Sequence, residues 1–245
     1  MGDARAADPR VIFALDLPSV DQAKAMALAV KDEIGMLKVG LELFVEAGPR
    51  AVAIGKECGR PVFLDLKLHD IPETVERAVA RASALGARLL TVHASGGPAM
   101  VRRAVERAAK EGGTMEIAAV TVLTSFDGKD LDAVGAGSDV GAQSERLARL
   151  AWDAGARTFV CSPHEASRLR VAIGGAATLV TPGVRAAETA NKDDQKRTMT
   201  ATEAVAAGAD WLVVGRPIRD AADPPAAARR IANEIAAARA ARRRD

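Results

Sequence analysis

The chain contains 245 residues, 49% of them hydrophobic and 27% charged, which is typical of a globular protein and excludes a disordered or low-complexity chain. Its 34 Lys and Arg residues nearly balance its 32 Asp and Glu residues, and only 3% of the residues are aromatic. Neither a basic surface nor a set of base-stacking rings is predicted, and we therefore expect no nucleic-acid partner.

The N-terminal residues and the cysteines bear on the cellular compartment. Residues 1–6 include acidic and basic side chains and no apolar run, so we expect no signal peptide. The sequence has no run of about 18 apolar residues, and no membrane span is expected. Cys58 and Cys161 are too few for a disulfide framework and lack the spacing of zinc ligands. We predict a cytoplasmic protein.

Short apolar runs recur along the chain, and each is a candidate β-strand. The eight runs span residues 11–15, 36–39, 62–66, 89–92, 117–123, 158–161, 178–180 and 211–214. Between most of them lie Ala-rich segments with charges at helical spacing, such as 71–85 and 99–110, which predict amphipathic helices. The chain is therefore predicted to alternate β-strands with α-helices.

This alternation indicates the fold class. Nearly continuous apolar strands are buried on both faces, as in a parallel sheet covered by helices. Eight such units favour an α/β fold, a closed (β/α)₈ TIM barrel formed by residues 1–245 as a single domain, over the alternative of an open doubly wound sheet. Two long polar connections, 125–144 and 183–200, follow predicted strands and are expected to be binding loops at the catalytic face.

Charged residues follow three neighbouring predicted strands. Asp16 and Lys38 end strands one and two, and strand three contributes Asp65, Lys67 and Asp70. Because side chains two apart share one face of a strand, Asp65 and Lys67 are predicted to point together toward the barrel mouth. Inward ion pairs that only stabilise the barrel are the alternative. Four charges at strand ends, those of Asp16, Lys38, Asp65 and Lys67, are costly to desolvate, however, and this favours a functional site.

Two segments late in the chain predict a phosphate site. Pro182 and Arg185 lie in the run TPGVR after strand seven, and Gly215 and Arg216 follow strand eight where a helix is expected. TIM barrels frequently bind phosphate after these two strands, through backbone N–H groups and a guanidinium. Gly215 allows the backbone to approach a ligand closely, and Arg216 supplies charge.

Other polar side chains at strand ends are weaker candidates. Thr124 and Ser125 close strand five, where they either contact a polar ligand or cap the turn. His69 and His93 titrate near neutrality, and for His93 we favour a polar wall of the pocket, with a structural hydrogen bond as the alternative. Cys161 has no nearby His or Asn spacing, so a buried inert thiol is predicted.

The segments that carry these residues resemble the orotidine 5′-phosphate decarboxylase family, in its bacterial form, over essentially the whole chain. The most specific segment is FLDLKLHDIPET at 63–74, with the pattern D-x-K-x-x-D followed by I-P-x-T. The segments LKVG, VHASGG, VLTS and TPGVR are also similar to family segments, in the family's order. The resemblance implies decarboxylation of orotidine 5′-phosphate to UMP in pyrimidine biosynthesis, with no cofactor and no metal.

The same resemblance implies roles for the charged residues. Asp16 and Lys38 would hold the ribose hydroxyls, and Lys38 would also bond into the charged array. Asp65 would lie beside the substrate carboxylate, and Lys67 would protonate C6 of the pyrimidine.

For the other matching residues, the resemblance implies contacts with the substrate and with a second subunit. Asp70 would reach into the partner subunit's site in a homodimer, with Ile71 and Thr74 beside it. The further substrate contacts that it implies are Thr124 at the pyrimidine edge, Pro182 in the pocket wall, and Arg185, Gln195, Gly215 and Arg216 at the phosphate.

Charge considerations agree with this reaction. Loss of CO₂ leaves an electron pair in the plane of the ring, which the π-system cannot absorb, so a fixed ammonium is needed to stabilise and protonate it. Two alternatives stay open. One is a Mg²⁺-dependent sugar-phosphate decarboxylase or aldolase of the same superfamily, which needs a further carboxylate near strand two, where Glu42 lies. The other is a catalytically inactive barrel that binds nucleotide monophosphates, although the intact Asp65, Lys67 and Asp70 argue against it.

Overall fold

The structure is a computed structural model that describes residues 9–185 and 199–242, with the backbone alone at residues 184 and 185. Eight parallel strands form a closed barrel in the order β1-β10-β7-β6-β5-β4-β3-β2. The barrel strands are β1 (Val11–Ala14), β2 (Met36–Val39), β3 (Val62–Leu68), β4 (Leu89–His93), β5 (Glu116–Val120), β6 (Thr158–Val160), β7 (Thr178–Thr181) and β10 (Trp211–Val214). Each of the eight predicted strands is present, and the predicted TIM barrel is confirmed over the open-sheet alternative.

Helices connect the barrel strands and cover the outside of the sheet. Within the described residues they are α1 (Val20–Val30), α2 (Leu41–Ala47), α3 (Pro49–Cys58), α4 (Pro72–Ala84), α5 (Gly97–Lys110), α6 (Gly128–Ala133), α7 (Val140–Asp153), α8 (Pro163–Ile173), α9 (Ala201–Ala206), α10 (Arg216–Arg219) and α11 (Pro224–Arg242). Short 3₁₀ turns lie at Lys31–Glu33 and Ala94–Gly96. The predicted helices 71–85 and 99–110 correspond to α4 and α5.

The polar connection after strand five differs from its prediction. Strand β5 ends at Val120 rather than at residue 123, and its pairing with both neighbours ends there, opposite His93 of β4 and Val160 of β6. The expected loop 125–144 contains the short helix α6 and the start of α7. Asp127 caps α6 by accepting hydrogen bonds from two backbone N–H groups, and Asp139 caps α7.

The second long connection is described only at its two ends. Strands β8 (Val184–Arg185) and β9 (Met199–Thr200) pair in parallel as a separate two-stranded sheet. Thr200 then caps α9 through a capping box with Glu203. The segment between the two strands lies outside the described residues.

Two hydrophobic layers hold the barrel together. The larger layer lies between the sheet and the helices, and the smaller one fills the inside of the barrel. The interior layer consists of Ile12, Ala14, Met36, Phe63, Leu89, Ala118, Val180 and Val213. Because strand side chains alternate, residues two positions beyond these apolar ones also face the barrel axis, nearer its C-terminal mouth. This alternation positions the polar residues of the candidate site.

Candidate active site

Three charged residues are brought to the mouth by strand alternation. Asp16 lies two residues beyond Ala14, Lys38 two beyond Met36, and Asp65 two beyond Phe63. Lys38 Nζ donates to Asp16 Oδ1 at 3.0 Å and lies 3.9 Å from Asp65 Oδ2. The predicted convergence of charges on the first three strands is therefore present.

Lys67 completes the array from the same strand as Asp65. Its Nζ atom lies 2.9 Å from both carboxylate oxygens of Asp65. The Lys67 side chain is 31% exposed, whereas that of Asp65 is 13% exposed, so the ammonium lies on the open side of the pair. The four charges alternate in sign along the order Asp16, Lys38, Asp65, Lys67. At about 4 Å and an effective dielectric near 20, opposite unit charges attract by about 4 kcal/mol, which offsets part of their desolvation.

Strand β3 departs from regular geometry at this point. Leu64 pairs with Leu90 and Leu68 with Val92, so four steps along β3 oppose two steps along β4. Within this bulge Lys67 has a φ of 49°, the only positive φ of a non-glycine residue within the described part of the chain. Such a conformation costs about 1–3 kcal/mol, and surrounding bonds must compensate for it.

Thr91 of β4 supplies two of those bonds. Its hydroxyl oxygen accepts the backbone N–H of Lys67 at 2.7 Å, and its O–H donates to Asp65 Oδ1 at 3.0 Å. Thr91 was not among the residues predicted for the site. The available signal was a hydroxyl inside an otherwise apolar strand, two residues beyond Leu89 and two before His93, on the inward face.

Gly40 leaves room for the Lys38 ammonium. A Cβ atom at position 40 would lie 2.9 Å from Lys38 Nζ and 3.4 Å from Asp16 Oδ1. A side chain there would collide with the ammonium or displace it from the Asp16 carboxylate. The glycine of the LKVG segment is therefore tied to the charged array.

The predicted phosphate residues lie beside the array. Strand β10 neighbours β1, and Gly215, two residues beyond Val213, caps the short helix α10. A Cβ at position 215 would lie 3.7 Å from Asp16 Oδ2, so this backbone passes close to the carboxylate. Arg216 is exposed at the start of α10. Arg219, which was not predicted for the site, donates from Nη1 to the Asp16 carbonyl at 3.0 Å and ties α10 to the end of β1.

Asp70 lies at the rim, after β3 and before α4. Its Oδ1 accepts the backbone N–H of Ile71 at 2.6 Å, and α4 begins at Pro72, whose fixed φ suits a first helical turn. The Ile71 side chain is 66% exposed, and Thr74 is exposed as well. These three predicted site residues are therefore exposed to solvent at the rim of the barrel.

The remaining predicted contacts are only partly described. Thr124 is half-buried in the turn between β5 and α6, and Pro182 is half-buried just beyond β7. The backbone of Arg185 belongs to β8, but its side chain lies outside the described residues, as does all of Gln195.

Two histidines line the mouth next to Lys67. The rings of His69 and His93 have centroids 5.3 Å apart. Burial lowers the pKa of His93, and the nearby His69 and Lys67 lower it further, while Asp65 acts in the opposite direction. The lowered pKa favours the neutral ring at pH 7, and the role of His93 as a polar wall of the pocket stays a prediction. Cys161 is buried in the layer between the sheet and the helices.

The described residues do not form a metal-binding cluster or a membrane-spanning helix. Within 9–185 and 199–242, no three His, Cys, Asp or Glu side chains form a group suited to a metal ion. Glu42, the carboxylate considered for a metal, is exposed in the first turn of α2. None of the helices in this described part is both long and apolar enough to cross a membrane.

The fold and the site together define a class: a TIM-barrel protein with alternating Lys and Asp residues at the C-terminal mouth. A profile of the "Orotidine 5'-phosphate decarboxylase / HUMPS family" matches residues 9–231. A curated relative called "Orotidine 5'-phosphate decarboxylase", from Anaeromyxobacter sp. (strain K), is 57% identical over 223 residues, which cover 91% of this chain and 96% of the relative. The chain belongs to this family.

A second curated relative and a solved structure support the same family assignment. The protein of the same name from Rhodopseudomonas palustris (strain HaA2) is 49% identical over 237 residues, which cover 95% of this chain and 99% of the relative. The crystal structure of orotidine 5'-phosphate decarboxylase from Lactobacillus acidophilus superposes with a TM-score of 0.80 at 34% identity, covering 93% of this chain and 99% of that one. The resemblance seen in the sequence is confirmed along nearly the whole chain.

Proposed function

We propose that this protein decarboxylates orotidine 5′-phosphate to UMP, a step of pyrimidine biosynthesis, and that Lys67 provides the cation and the proton. The observation that carries this proposal is the Lys67 ammonium, held 2.9 Å from both oxygens of Asp65 at the barrel mouth. Relatives at 57% and 49% identity named for this reaction support it.

The proposed reaction balances with the residues of this chain. The bond between C6 and the carboxylate carbon breaks, CO₂ leaves, and the electron pair stays on C6 in the plane of the ring. The Lys67 ammonium stabilises the developing negative charge and then transfers one proton to C6. The resulting neutral amine regains its proton from solvent. Because the electron pair stays on C6 and forms the new C–H bond, no external electron acceptor is required.

Asp65 has two functions in this mechanism. Its carboxylate orients the Lys67 ammonium through two hydrogen bonds. It also lies beside the position expected for the substrate carboxylate. Two like charges about 4 Å apart repel by about 4 kcal/mol at an effective dielectric near 20. Departure of CO₂ removes that repulsion, so the ground state is disfavoured relative to the transition state.

Binding groups surround the reacting carbon in this proposal. Asp16 and Lys38, joined at 3.0 Å, hold the ribose hydroxyls. Phosphate, remote from C6, binds near Gly215 and Arg216. Its binding energy serves to hold the substrate against the crowded charged array. The other contacts proposed are Thr124 at the pyrimidine, Pro182 in the pocket wall, and Arg185 and Gln195 at the phosphate.

We also propose a homodimer in which Asp70 completes the partner subunit's site, with Ile71 and Thr74 at the interface. Leu41 and Val45 are 53% and 81% exposed, and they lie four positions apart on one face of α2. Ile71, also exposed, follows the neighbouring strand β3. Apolar side chains exposed on neighbouring segments favour burial against a second copy, and a two-fold axis would bring the same rim of both copies together.

The reducing cytoplasm is the compartment we propose. Cys58 and Cys161 are the only cysteines of the sequence, and both are buried thiols rather than disulfide partners.

The reaction is tested directly with purified protein and orotidine 5′-phosphate. The loss of orotidylate absorbance is followed, and UMP is identified as the product, with heat-inactivated protein as the control. We expect one UMP for each orotidylate consumed. Tight binding of orotidylate and UMP without turnover would instead support the inactive nucleotide-binding barrel, although the comparisons do not favour it.

A further inference from the structure

Thr91 is the one hydroxyl that touches both members of the Asp65–Lys67 pair among the described residues. It lies in the middle of β4, on the inward face between Leu89 and His93, and is 0% exposed. Burial of a hydroxyl in an apolar strand is unfavourable unless its hydrogen bonds are satisfied. Both of its bonds go to the candidate catalytic strand.

The bulge in β3 explains why a hydroxyl is needed there. Where β3 and β4 pair regularly, backbone carbonyls of one strand accept N–H groups of the other. The register jumps between Leu64 and Leu68, and the N–H of Lys67 instead donates to Thr91 Oγ1 at 2.7 Å. Without that acceptor, a partly buried N–H at a residue with a φ of 49° would lose its partner.

The second bond of Thr91 fixes the carboxylate. Its O–H donates to Asp65 Oδ1 at 3.0 Å, the same oxygen that accepts Lys67 Nζ at 2.9 Å. The hydroxyl therefore links the main chain of Lys67 to the carboxylate that holds the Lys67 side chain. The Thr91 side chain therefore constrains the main chain of Lys67 directly and the Lys67 ammonium through Asp65.

We propose that Thr91 is a positioning residue for the reaction, which holds the Lys67 ammonium and the Asp65 carboxylate in reactive geometry. This role rests on the proposed decarboxylation. Because Thr91 acts through Lys67 and Asp65, removal of its hydroxyl is expected to lower kcat. The residues proposed to bind ribose and phosphate lie outside β3 and β4, at or after the ends of β1, β2, β7 and β10, so KM is expected to change little.

The Thr91→Val substitution is nearly isosteric, because it replaces only the hydroxyl by a methyl group. We expect kcat to fall by about 10- to 100-fold, the range of one hydrogen bond to a charged group, with KM changed by less than about threefold. Thr91→Ser restores a hydroxyl and is expected to recover kcat to within about threefold of the wild-type value. A variant that loses kcat through general loosening of the barrel is not rescued in this way.

The matched control is Thr158→Val. Thr158 is also buried, at 1% exposure, and its hydroxyl donates to a carboxylate oxygen, Glu116 Oε2, at 2.9 Å. Thr158 and Glu116 begin β6 and β5, at the end of the barrel opposite the mouth. This substitution removes the same group from a threonine that is equally buried and also bonds to a carboxylate, and it is expected to leave kcat within twofold of wild type.

Amide hydrogen exchange gives a readout that needs no turnover. The Lys67 amide is expected to exchange at least about tenfold faster in Thr91→Val than in wild type, and at a near wild-type rate in Thr91→Ser and Thr158→Val. Unchanged exchange at Lys67, or an active Thr91→Val enzyme with wild-type kcat, would overturn the role of Thr91. A wild-type protein that does not decarboxylate orotidylate would overturn the proposed function and, with it, the positioning role in that reaction.

Discussion

Lys67 Nζ lies 2.9 Å from both carboxylate oxygens of Asp65, although the two residues are separated by a single residue in the same strand. In a regular strand such side chains project in parallel, and a long lysine would extend past a short aspartate. The bulge in β3 and the positive φ of Lys67 turn the lysine back over the carboxylate. The ion pair therefore depends on a local break in strand geometry.

Lys67→Ala is expected to abolish turnover and leave the fold intact, because the side chain contributes a cation and a proton at the barrel mouth and little core packing. The measurement is kcat for orotidylate loss, with circular dichroism to check the fold. Lys56→Ala, at an exposed lysine in the last turn of α3, is the matched control. If Lys67→Ala keeps more than about a tenth of wild-type kcat, a loss below about 1.4 kcal/mol, Lys67 is not the proton donor. Asp65→Ala is expected to be similarly severe.

Much of this site could be predicted from the sequence, because strand alternation is a short-range property. Asp16, Lys38 and Asp65 each follow an inward apolar residue by two positions, and the closed barrel then brings three neighbouring strand ends together. The shared inward direction of Asp65 and Lys67 was predicted on the same basis, whereas their close pairing depends on the bulge.

Other features depend on contacts between distant segments. The run Leu66-Lys67-Leu68 alternates like a regular strand, so nothing local reveals the bulge, in which the Lys67 N–H donates to Thr91 of β4. Arg219 was missed for the same reason: its bond is to the Asp16 carbonyl, 203 positions away. The early end of β5 likewise coincides with the end of its pairing with β4 and β6, which the apolar run by itself does not reveal.

Arg216→Ala is expected to lower kcat/KM by about one to two decades, because a charge-assisted hydrogen bond contributes roughly 1.5–3 kcal/mol. Steady-state kinetics with orotidine 5′-phosphate measure the loss. Arg230→Ala, at an exposed arginine of α11, is the control for removing one surface charge. The nucleoside orotidine, which lacks phosphate, is expected to be turned over equally by Arg216→Ala and wild type. An unchanged kcat/KM on the phosphorylated substrate would place the phosphate elsewhere.

Chelation separates the proposed reaction from a metal-dependent one. With Lys67 as the cation beside C6, full turnover is expected in excess EDTA after dialysis against the chelator. The assay compares initial rates with EDTA, with EDTA followed by excess Mg²⁺, and with neither. A strict Mg²⁺ requirement would favour the sugar-phosphate decarboxylase or aldolase reaction.

His93 is expected to make folding stability depend on pH. Burial, together with His69 and Lys67, lowers its pKa from the ordinary value of 6.5. As pH falls through 6.5, the unfolded chain takes up a proton at this position before the folded protein does, so the free energy of unfolding decreases with decreasing pH until the folded protein is also protonated.

Urea denaturation at about pH 7 and about pH 5 tests whether the free energy of unfolding decreases with decreasing pH. Replacing His93 by Gln removes its contribution, so wild type is expected to lose more stability between the two pH values than His93→Gln does. His164→Gln, at an exposed histidine of α8, controls for the loss of one titratable ring. An equal loss in wild type and His93→Gln would contradict the lowered pKa.

Asp70 is expected to act in the partner subunit's site. Lys67→Ala and Asp70→Ala, each inactive alone, are mixed under conditions that let subunits exchange. If Asp70 acts in trans, each heterodimer has one site with both lesions and one wild-type site. Statistical mixing of equal amounts makes half of the dimers heterodimers, and activity is expected to return to about a quarter of the wild-type level.

A matched mixture tests whether subunit exchange alone restores activity. Asp65 and Lys67 contact each other at 2.9 Å within one chain, so mixing Lys67→Ala with Asp65→Ala leaves a lesion in every site and is expected to stay inactive. If Asp70 serves its own subunit, the Lys67→Ala and Asp70→Ala mixture also stays inactive, because every site again keeps one lesion. That outcome would refute the shared site even for a protein that sediments as a dimer, since exposed apolar residues such as Ile71 and Val45 can hold two copies together without exchanging a catalytic carboxylate.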